Sequence, residues 1–340
     1  MRVGIIGAGL QGRRRAPVLA GLPDTELVVV SAAETDSARR LAAEMDCEAA
    51  AGWRPVVERA DLDAVVVCTP PDLHAQISIA AMRSGKHVLC EKPLARTLAE
   101  AEAMLTVAEQ TGVLLKCGFN HRHHPGVQQA RRWLEEGRIG KPLFVRARYG
   151  IGGRPGYEKE WRADPKVVGG GQLMEQGIHA VDLARWFLGE FSEVTAFIET
   201  AFWSIAPLED NAFALYRTPD GAVASIHSSL TQWNNLFSFE VFGRDGYVTV
   251  AGLGGGYGTE RVTYGKRDFD APFGEETIEY RGSDRSWLDE WKEFAAAIAE
   301  NREPLGSARD GVEAIRLVLA AYEAADKSCL ISLDASQKED

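Results

Sequence analysis

Residues 1–12 read MRVGIIGAGLQG, an apolar run that ends in a glycine-rich turn. The branched side chains of the run are typical of a buried parallel strand, and Gly7, Gly9 and Gly12 follow at the G-x-G-x-x-G spacing just before a predicted helix. These glycines permit a tight turn, a close approach of backbone N–H groups to a pyrophosphate, and close packing of the helix on the strand. The stretch favours a dinucleotide site, although a chance turn or a mononucleotide or flavin site also fits this spacing alone.

Outward from this turn, strand and helix patterns alternate as far as residue 124. After a second strand predicted over 26–33, an uninterrupted apolar run predicts a strand over 64–68, and further strands are predicted over 86–90 and 113–118. Repeated βαβ units of this kind form a doubly wound parallel sheet of the Rossmann type. The fold class of this part of the chain is therefore α/β.

The pattern changes in the rest of the chain. Short alternating strands separated by turns predict a C-terminal α+β domain with a large, mostly antiparallel open sheet between residues 193 and 280. Ahead of this sheet, helices are predicted over 127–136 and 172–188, with a strand over 144–149 between them. We predict a cofactor-binding domain over 1–122 and a substrate-binding and oligomerisation domain over 123–340, with a last helix that can pack back on the first domain.

Composition limits the function classes. The chain has 340 residues, a hydrophobic content of 45% and a formal net charge of −11. This charge argues against nucleic acid and anionic membrane surfaces, which are bound through clustered Lys and Arg; the Arg13-Arg14-Arg15 run is short and is expected on the solvated side of the first helix. Charge interrupts every apolar run, so no membrane span is predicted and we expect a cytoplasmic location. The five cysteines include no C-x-x-C pair, which suggests neither a disulfide framework nor a zinc knuckle.

An acidic residue stands at the end of the second predicted strand. Glu34 lies about 20 residues beyond the last glycine of the turn, where a carboxylate accepts hydrogen bonds from the adenosine ribose hydroxyls and repels a 2′-phosphate. The position favours NAD over NADP, although Arg39 and Arg40 lie nearby. The alternative is a helix-capping or surface acid.

Two proline-containing turns follow later strands. Thr69-Pro70-Pro71 and Glu91-Lys92-Pro93 each end an apolar strand and turn the chain at the carboxyl edge of the predicted sheet. Open α/β sheets bind ligands at this edge, which makes Lys92 a candidate for contact with the cofactor. The plain alternative is a surface lysine in a turn.

A carboxylate and an imidazole lie close together later in the chain. Glu175 and His179 are four residues apart on a predicted helix, so their side chains share a face. A neutral imidazole can accept a hydroxyl proton, because its pKa lies near neutrality. Two alternatives stay open: an ion-paired helix surface, and half of a metal site completed by His121, His123 and His124. We predict no metal.

Five motifs spread over both predicted domains occur together in one known family. They are Gly7-Ala8-Gly9-Leu10-Gln11-Gly12; Thr69-Pro70-Pro71 with His74; Gly85-Lys86-His87-Val88-Leu89-Cys90-Glu91-Lys92-Pro93; Gly118-Phe119-Asn120; and Gly169-Gly170-Gly171 with Glu175, Gly177, Ile178, His179 and Asp182. In these residues the chain resembles the glucose-fructose oxidoreductase and inositol dehydrogenase family (Gfo/Idh/MocA). The Glu-Lys-Pro turn followed by the acid-x-x-x-His helix is far more specific than the glycine turn.

The resemblance implies a shared set of cofactor contacts and catalytic groups. The implied cofactor-binding residues are Gly7, Ala8, Gly9, Leu10, Gln11, Gly12, Glu34, Thr35, Thr69, Pro70, His74, Glu91, Lys92 and Asn120. It also implies a cis peptide before Pro93, contact of Lys92 with cofactor and substrate hydroxyl, and proton transfer by His179. The family usually has Asp where Glu175 stands, which puts the reach of Glu175 to a substrate hydroxyl in doubt.

The function predicted from these features is that of an NAD-dependent dehydrogenase. It would oxidise a secondary hydroxyl of a sugar, cyclitol or sugar-bearing metabolite such as an aminosugar to a ketone, or run the reverse reaction. Two rival hypotheses stay open: an NAD-dependent glycosidase with transient oxidation, and a non-catalytic NAD-binding sensor.

Loop residues suggest contacts with a small-molecule substrate, and the open sheet suggests contact with a second copy of the chain. The candidates for substrate contact are Asn120, Arg122, Tyr157, Trp161 and Arg162 and, with less support, Trp203, Trp233, Asn234 and Asn235. A broad sheet with few helices to cover it leaves one face open, which predicts a second copy packed there. The resemblance likewise implies a homodimer or homotetramer formed through that sheet.

Overall fold

A computed structural model of the protein describes residues 1–269 and 274–333. These residues form two compact units. The first unit comprises 1–120, 166–169 and 285–313, and the second comprises 121–165, 170–269, 274–284 and 314–333. The division into continuous domains at residues 122 and 123 stays a prediction.

The amino-terminal region alternates strands and helices, as predicted. Its elements are β1 (Arg2–Ile6), α1 (Leu10–Ala20), β2 (Glu26–Ala32), α2 (Thr35–Glu44), β3 (Glu48–Ala51), α3 (Arg54–Val57), β4 (Ala64–Val67), α4 (His74–Arg83), β5 (His87–Cys90), α5 (Leu98–Thr111) and β6 (Leu115–Cys117). Strand β3 escaped prediction because its four residues are mostly exposed and form no strongly apolar run.

The remaining elements complete both units. They are α6 (Pro125–Glu135), β7 (Pro142–Gly150), α7 (Pro165–Val168), α8 (Ile178–Leu188), β8 (Glu193–Glu199), β9 (Asn211–Arg217), β10 (Val223–Ser229), β11 (Leu236–Gly243), β12 (Gly246–Ala251), β13 (Glu260–Lys266), β14 (Glu275–Tyr280), α9 (Ser286–Glu300), α10 (Ala308–Lys327) and β15 (Ile331–Ser332). The single helix predicted over 172–188 is wrong in its first part, because Leu173–Gly177 form a π-helical turn ahead of α8. In the described part of the chain, no helix combines the length and apolar character needed to cross a membrane.

A six-stranded parallel sheet organises the first unit. Its strand order is β3-β2-β1-β4-β5-β6, and each strand runs parallel to its neighbours. The order reverses between β1 and β4, the switch point at which sheets of this kind bind ligands outside their carboxyl ends. The predicted doubly wound sheet is confirmed.

The core of the first unit joins both ends of the chain. Ile5 of β1 and Val66 of β4 belong to one buried cluster with Trp291 and Phe294 of α9. The indole Nε1 of Trp291 donates a hydrogen bond to Thr25 Oγ1 at 3.0 Å, which satisfies the polar edge of this buried ring. Helix α9 therefore completes a core whose strands come from the amino-terminal region.

A nine-stranded sheet organises the second unit. Its order is β14-β13-β12-β11-β7-β10-β9-β8-β15; β7 and β10 are parallel, and the other neighbours are antiparallel. Along β7, buried Val145 and Ala147 alternate with exposed Arg146 and Arg148. One face is thus packed and the other open, and the predicted large, mostly antiparallel sheet is confirmed.

The basic run on α1 does not lie wholly in solvent. Arg13 and Arg14 are exposed, as predicted, but Arg15 is only 3% exposed and lies inside the first unit. The prediction was wrong for Arg15 because successive helical residues point in different directions and one member of the run faces the core. Its carboxylate partners, Glu91 and Glu290, come from distant parts of the chain.

Gly9 and Gly12 offer a matched pair of substitutions. A Cβ on Gly12 would lie 1.9 Å from Gly7 O, so we expect Gly12→Ala to destabilise the fold by about 1–3 kcal/mol. A Cβ on Gly9 would meet no described atom within 4 Å. Gly9→Ala should therefore leave the melting temperature unchanged but weaken binding of the predicted dinucleotide, because the methyl group fills space that a phosphate needs. Thermal unfolding and titration with NAD check both results, and an unchanged melting temperature in Gly12→Ala would contradict the packing argument.

Candidate active site

The turn between β1 and α1 forms an open cradle of backbone N–H groups. Gly7 has a φ of +113° and donates its N–H to Ser31 O at 2.8 Å, which holds the turn against β2. Gly9 is extended and precedes α1, whose first N–H groups have no partner within the helix. Leu10 is 56% exposed although apolar, and the buried Oε1 of Gln11 makes no hydrogen bond within the described residues. These features fit a pyrophosphate at a helix N-terminus.

All six predicted contacts of the glycine motif lie in this cradle or in the first turn of α1: Gly7, Ala8, Gly9, Leu10, Gln11 and Gly12.

Glu34 follows β2 at the same edge of the sheet. Its side chain is exposed, and Thr35 begins α2 directly after it. Glu34 occupies the N-cap position of α2, but its carboxylate makes no capping hydrogen bond to the helix. Its described side-chain contact is a long one, 3.4 Å from Ser37 Oγ. The capping alternative is therefore not supported, and the carboxylate is exposed where ribose hydroxyls are expected.

Two further turns lie at the ends of neighbouring strands. Thr69 and Pro70 follow β4, and Lys92 follows β5, which pairs with β4. The buried Oγ1 of Thr69 makes no hydrogen bond within the described part of the chain, which fits a polar ligand at this edge. Lys92 is partly exposed, and the Lys92–Pro93 peptide is cis, as the resemblance implies.

Three predicted cofactor contacts have side chains engaged inside the first unit. The ring nitrogens of His74 lie 2.8 Å from Thr69 O and 2.9 Å from Pro93 O. Glu91 accepts a hydrogen bond from Arg15 Nε at 2.7 Å, and Asn120 Nδ2 donates to Ser286 Oγ at 2.8 Å. We therefore expect these side chains to shape the binding edge more than to hydrogen-bond a cofactor.

His179 lies in the first turn of α8 and is 3% exposed. Its ring stacks on that of His121, with centroids 3.7 Å apart and planes 18° apart. The ring of Tyr149 meets His121 at 5.1 Å and His179 at 6.3 Å. The imidazole is thus held in a buried aromatic setting within the second unit.

Glu175 lies in the π-helical turn that precedes α8. Its carboxylate accepts hydrogen bonds from Tyr157 Oη at 2.8 Å and Arg162 Nε at 2.7 Å. Burial, with the charge of Glu175 adding to it, raises the pKa of Tyr157 above its usual range, so the phenol stays a donor at neutral pH. Glu175 is therefore a partly buried, ion-paired carboxylate near His179 in sequence.

The predicted substrate contacts divide into held and exposed residues. Arg122 donates two hydrogen bonds to Asp182, at 2.8 and 2.6 Å, and both side chains are buried. Trp203 Nε1 donates to Leu230 O at 3.0 Å. The exposed members of the set are Trp161, Trp233, Asn234 and Asn235.

The three histidines weighed as metal ligands are all buried. His121 stacks on His179, and His124 Nδ1 lies 3.0 Å from Glu260 Oε2. Over residues 1–269 and 274–333, no three His, Cys, Asp or Glu side chains are grouped so that they could hold a metal ion.

Prediction from sequence missed two contributions to this geometry. Arg15 was expected in solvent, and His121 was weighed as a metal ligand or loop residue with no stacking partner in view. The helical spacing of Arg15 from buried Gly12 and Leu19 was the one available signal for its burial. Nothing local indicates that His121 and His179 would stack, because 57 residues separate them.

The two sets of candidate residues belong to different units. The glycine turn, Glu34, Thr69 and Lys92 lie in the first unit, where they share the carboxyl edge of the parallel sheet. His179 and Glu175 lie in the second unit.

Comparison with known proteins places both halves of the chain in one family. Residues 1–119 match the oxidoreductase family with an NAD-binding Rossmann fold, and residues 127–249 match the GFO/IDH/MocA C-terminal domain. Levoglucosan dehydrogenase of Pseudarthrobacter phenanthrenivorans is 30% identical over 286 residues, 73% of each chain. Myo-inositol 2-dehydrogenase of Thermotoga maritima is 28% identical over 348 residues, 98% of this chain and 99% of the other.

Solved structures agree with this assignment. Levoglucosan dehydrogenase in complex with NADH and L-sorbose matches with a TM-score of 0.90 and 27% identity, over 98% of this chain and 99% of that chain. The resemblance drawn from the motifs is therefore confirmed. The chain belongs to the Gfo/Idh/MocA family of oxidoreductases, and its first unit is an NAD-binding Rossmann domain.

Proposed function

We propose that this protein is an NAD-dependent dehydrogenase acting on a secondary hydroxyl of a sugar, cyclitol or sugar-bearing metabolite, or catalysing the reverse reduction. The observation that carries the proposal is the buried imidazole of His179, four residues after the ion-paired Glu175, in a family member with an NAD-binding domain. The two relatives above are named as dehydrogenases of levoglucosan and of myo-inositol. Their names support a sugar or cyclitol as the substrate class. A cytoplasmic location belongs to the same proposal.

The proposed roles follow from charge changes during oxidation of an alcohol. NAD, when bound, accepts the hydride in the oxidative direction. Neutral His179 accepts the hydroxyl proton, and the ammonium of Lys92 stabilises negative charge developing on the oxygen. Glu175, held by Tyr157 and Arg162, supplies a nearby negative charge that favours the imidazolium formed by proton transfer.

Replacement of His179 tests the proposed proton acceptor. We expect His179→Ala to lower kcat by about 100- to 10,000-fold, because positioned acid–base catalysis contributes about that much. The Kd for NAD should not change. The measurement is NADH formation from levoglucosan, myo-inositol and a panel of free sugars, aminosugars and sugar nucleotides. His87→Asn is the matched control, because His87 begins β5 and therefore lies at the opposite, amino end of the parallel sheet.

Full activity of His179→Ala would exclude this role. The same panel separates the rival hypotheses. Cleavage of a glycoside without net NADH would favour the glycosidase, and tight NAD binding without any reaction would favour the sensor.

Glu34 tests the choice of cofactor. We expect the native protein to bind NAD more tightly than NADP, because an exposed carboxylate at the end of β2 repels a 2′-phosphate. Glu34→Ser should lower the ratio of the NADP dissociation constant to the NAD dissociation constant by about tenfold, because the loss of one polar contact typically changes a binding free energy by that much. Glu44→Ser, at the other end of α2, is the control. A native preference for NADP would overturn the assigned role of Glu34.

We also infer that the open face of the second sheet packs on a second copy of the chain. Phe197 of β8, Phe213 of β9 and Leu215 of β9 are 81%, 51% and 48% exposed. Phe197 and Phe213 are directly paired across the strands, and the ring of Phe213 stacks on His227 of β10 at 4.0 Å. A row of rings across three strands, exposed on β8 and β9 and half-buried on β10, is an unusual surface for a monomer, so it supports a homodimer or homotetramer.

A charge placed in this row tests the proposed interface. We expect the native protein to sediment as a dimer or tetramer at micromolar concentration and Phe213→Asp to sediment as a smaller species, since burying an unpaired carboxylate is costly. Phe269→Asp is the control, because Phe269 is more exposed than Phe213, at 83%, and follows β13, four places along the sheet order from β10. A native protein that sediments as a monomer would end this proposal.

A further inference from the structure

The first unit contains a buried group of charged side chains at the base of the Lys92 turn. Arg15 of α1 donates from Nε to Glu91 Oε1 at 2.7 Å, and its Nη1 lies 2.8 Å from Glu290 Oε2 of α9. Lys116 Nζ of β6 lies 3.8 Å from Glu290 Oε1. All four side chains are buried. One arginine thus joins the helix of the glycine turn, the turn after β5 and a helix from the carboxyl-terminal part of the chain.

Stability alone does not account for such a group. Removing charges from water costs about as much as their mutual attraction returns, so apolar side chains would stabilise this interior at least as well. Arg15 nevertheless stays charged: burial opposes the cation, but Glu91 and Glu290 outweigh burial and raise the pKa of Arg15. What the pairing with Glu91 provides is a fixed direction, because the planar guanidinium donates a hydrogen bond from Nε to that carboxylate. The contact with Glu290 is an ion pair by distance, and the Glu290 oxygens make no hydrogen bond within the described residues.

A second contact holds the other side of the same turn. His74, at the start of α4, is 1% exposed. Its Nδ1 lies 2.9 Å from Pro93 O, and its Nε2 lies 2.8 Å from Thr69 O. Burial lowers the pKa of His74, so the ring is neutral, carries one N–H and donates to one of these two carbonyls while its other nitrogen only packs beside the second. The imidazole therefore fills the space between the turn after β5 and the turn after β4, its neighbour in the sheet.

Lys92 stands between these two contacts. The residue before it is held through the Glu91 carboxylate by Arg15, and the carbonyl of the residue after it, Pro93, lies 2.9 Å from the buried ring of His74. We propose that Arg15 and His74 are positioning residues that fix the backbone and the ammonium direction of Lys92. This inference rests on the proposed function, in which Lys92 contacts the reacting oxygen. A displacement of a reacting group by about 1 Å can cost about 100-fold in rate.

Three variants separate the two contacts. Glu91→Gln keeps the shape of the side chain and removes its charge, Arg15→Lys keeps the charge and removes the planar fork, and His74→Asn removes the ring. We expect each to lower kcat for levoglucosan or myo-inositol by about 10- to 100-fold, with the Kd for NAD and the KM changed by less than about threefold. Arg14→Lys is the matched control, since Arg14 is exposed over the ring of Trp287.

A double-substitution test distinguishes positioning from a general structural role. If Arg15 acts through Lys92, adding Arg15→Lys to Lys92→Ala lowers kcat no further; if it acts elsewhere, the two effects multiply. His74→Asn in the Lys92→Ala background makes the same test of the other contact, and it serves alone should Arg15→Lys fail to fold. Multiplying effects in these tests overturn the inference.

A measurement without substrate makes the outcome independent of turnover. In protein labelled at lysine Cε, the Lys92 signal is identified by its loss in Lys92→Ala. A held side chain gives two resolved Hε shifts, which we expect to merge in Glu91→Gln and His74→Asn and to persist in Arg14→Lys. Unchanged Lys92 shifts in both variants refute the inference. Full activity of Lys92→Ala refutes the proposed role of Lys92 instead, so the two failures are distinguishable.

Discussion

The first unit depends on one constraint, the common direction of its six strands. Because neighbouring strands are parallel, their carboxyl ends meet at one edge, and every connection that leaves a strand begins there. The residues that directly follow these strands include glycine and polar residues. In this way residues far apart in sequence reach the same ligand-binding edge. The residues so gathered are Gly7, Glu34, Thr69, Lys92 and Asn120.

In the second unit, ring packing and side-chain hydrogen bonds hold the candidate groups. His179 is buried among rings, so its plane is set by packing against His121 and Tyr149. Glu175 is placed by hydrogen bonds from Tyr157 and Arg162, within a π-helical turn. Turns of this kind interrupt the regular α-helical spacing and occur often at functional sites. The imidazole and the carboxylate are thus oriented by separate parts of the same unit.

Buried polar contacts connect these local arrangements to the fold. In the first unit, Arg15 joins α1 to Glu91 and Glu290, and His74 joins two adjacent turns. Such contacts add little net stability, because desolvation offsets attraction. Their energetic effect lies in the high cost of alternative arrangements, each of which would leave a buried charge or carbonyl without a partner. In the positioning role that we propose for Arg15 and His74, this cost keeps the turn around Lys92 in one conformation.

The amino-acid sequence by itself determined the parallel sheet, the open antiparallel sheet, the glycine turn and the family. These features rest on local apolar periodicity and on short motifs such as Glu91-Lys92-Pro93. Both can be read from neighbouring residues without knowledge of distant contacts. Tertiary structure alone decided that Arg15 pairs with Glu91 and Glu290, that β3 forms, that a π-helical turn precedes α8 and that His121 stacks on His179. Each of these depends on partners tens to hundreds of residues away, and local sequence patterns contain no information about which distant side chain will fill a given space.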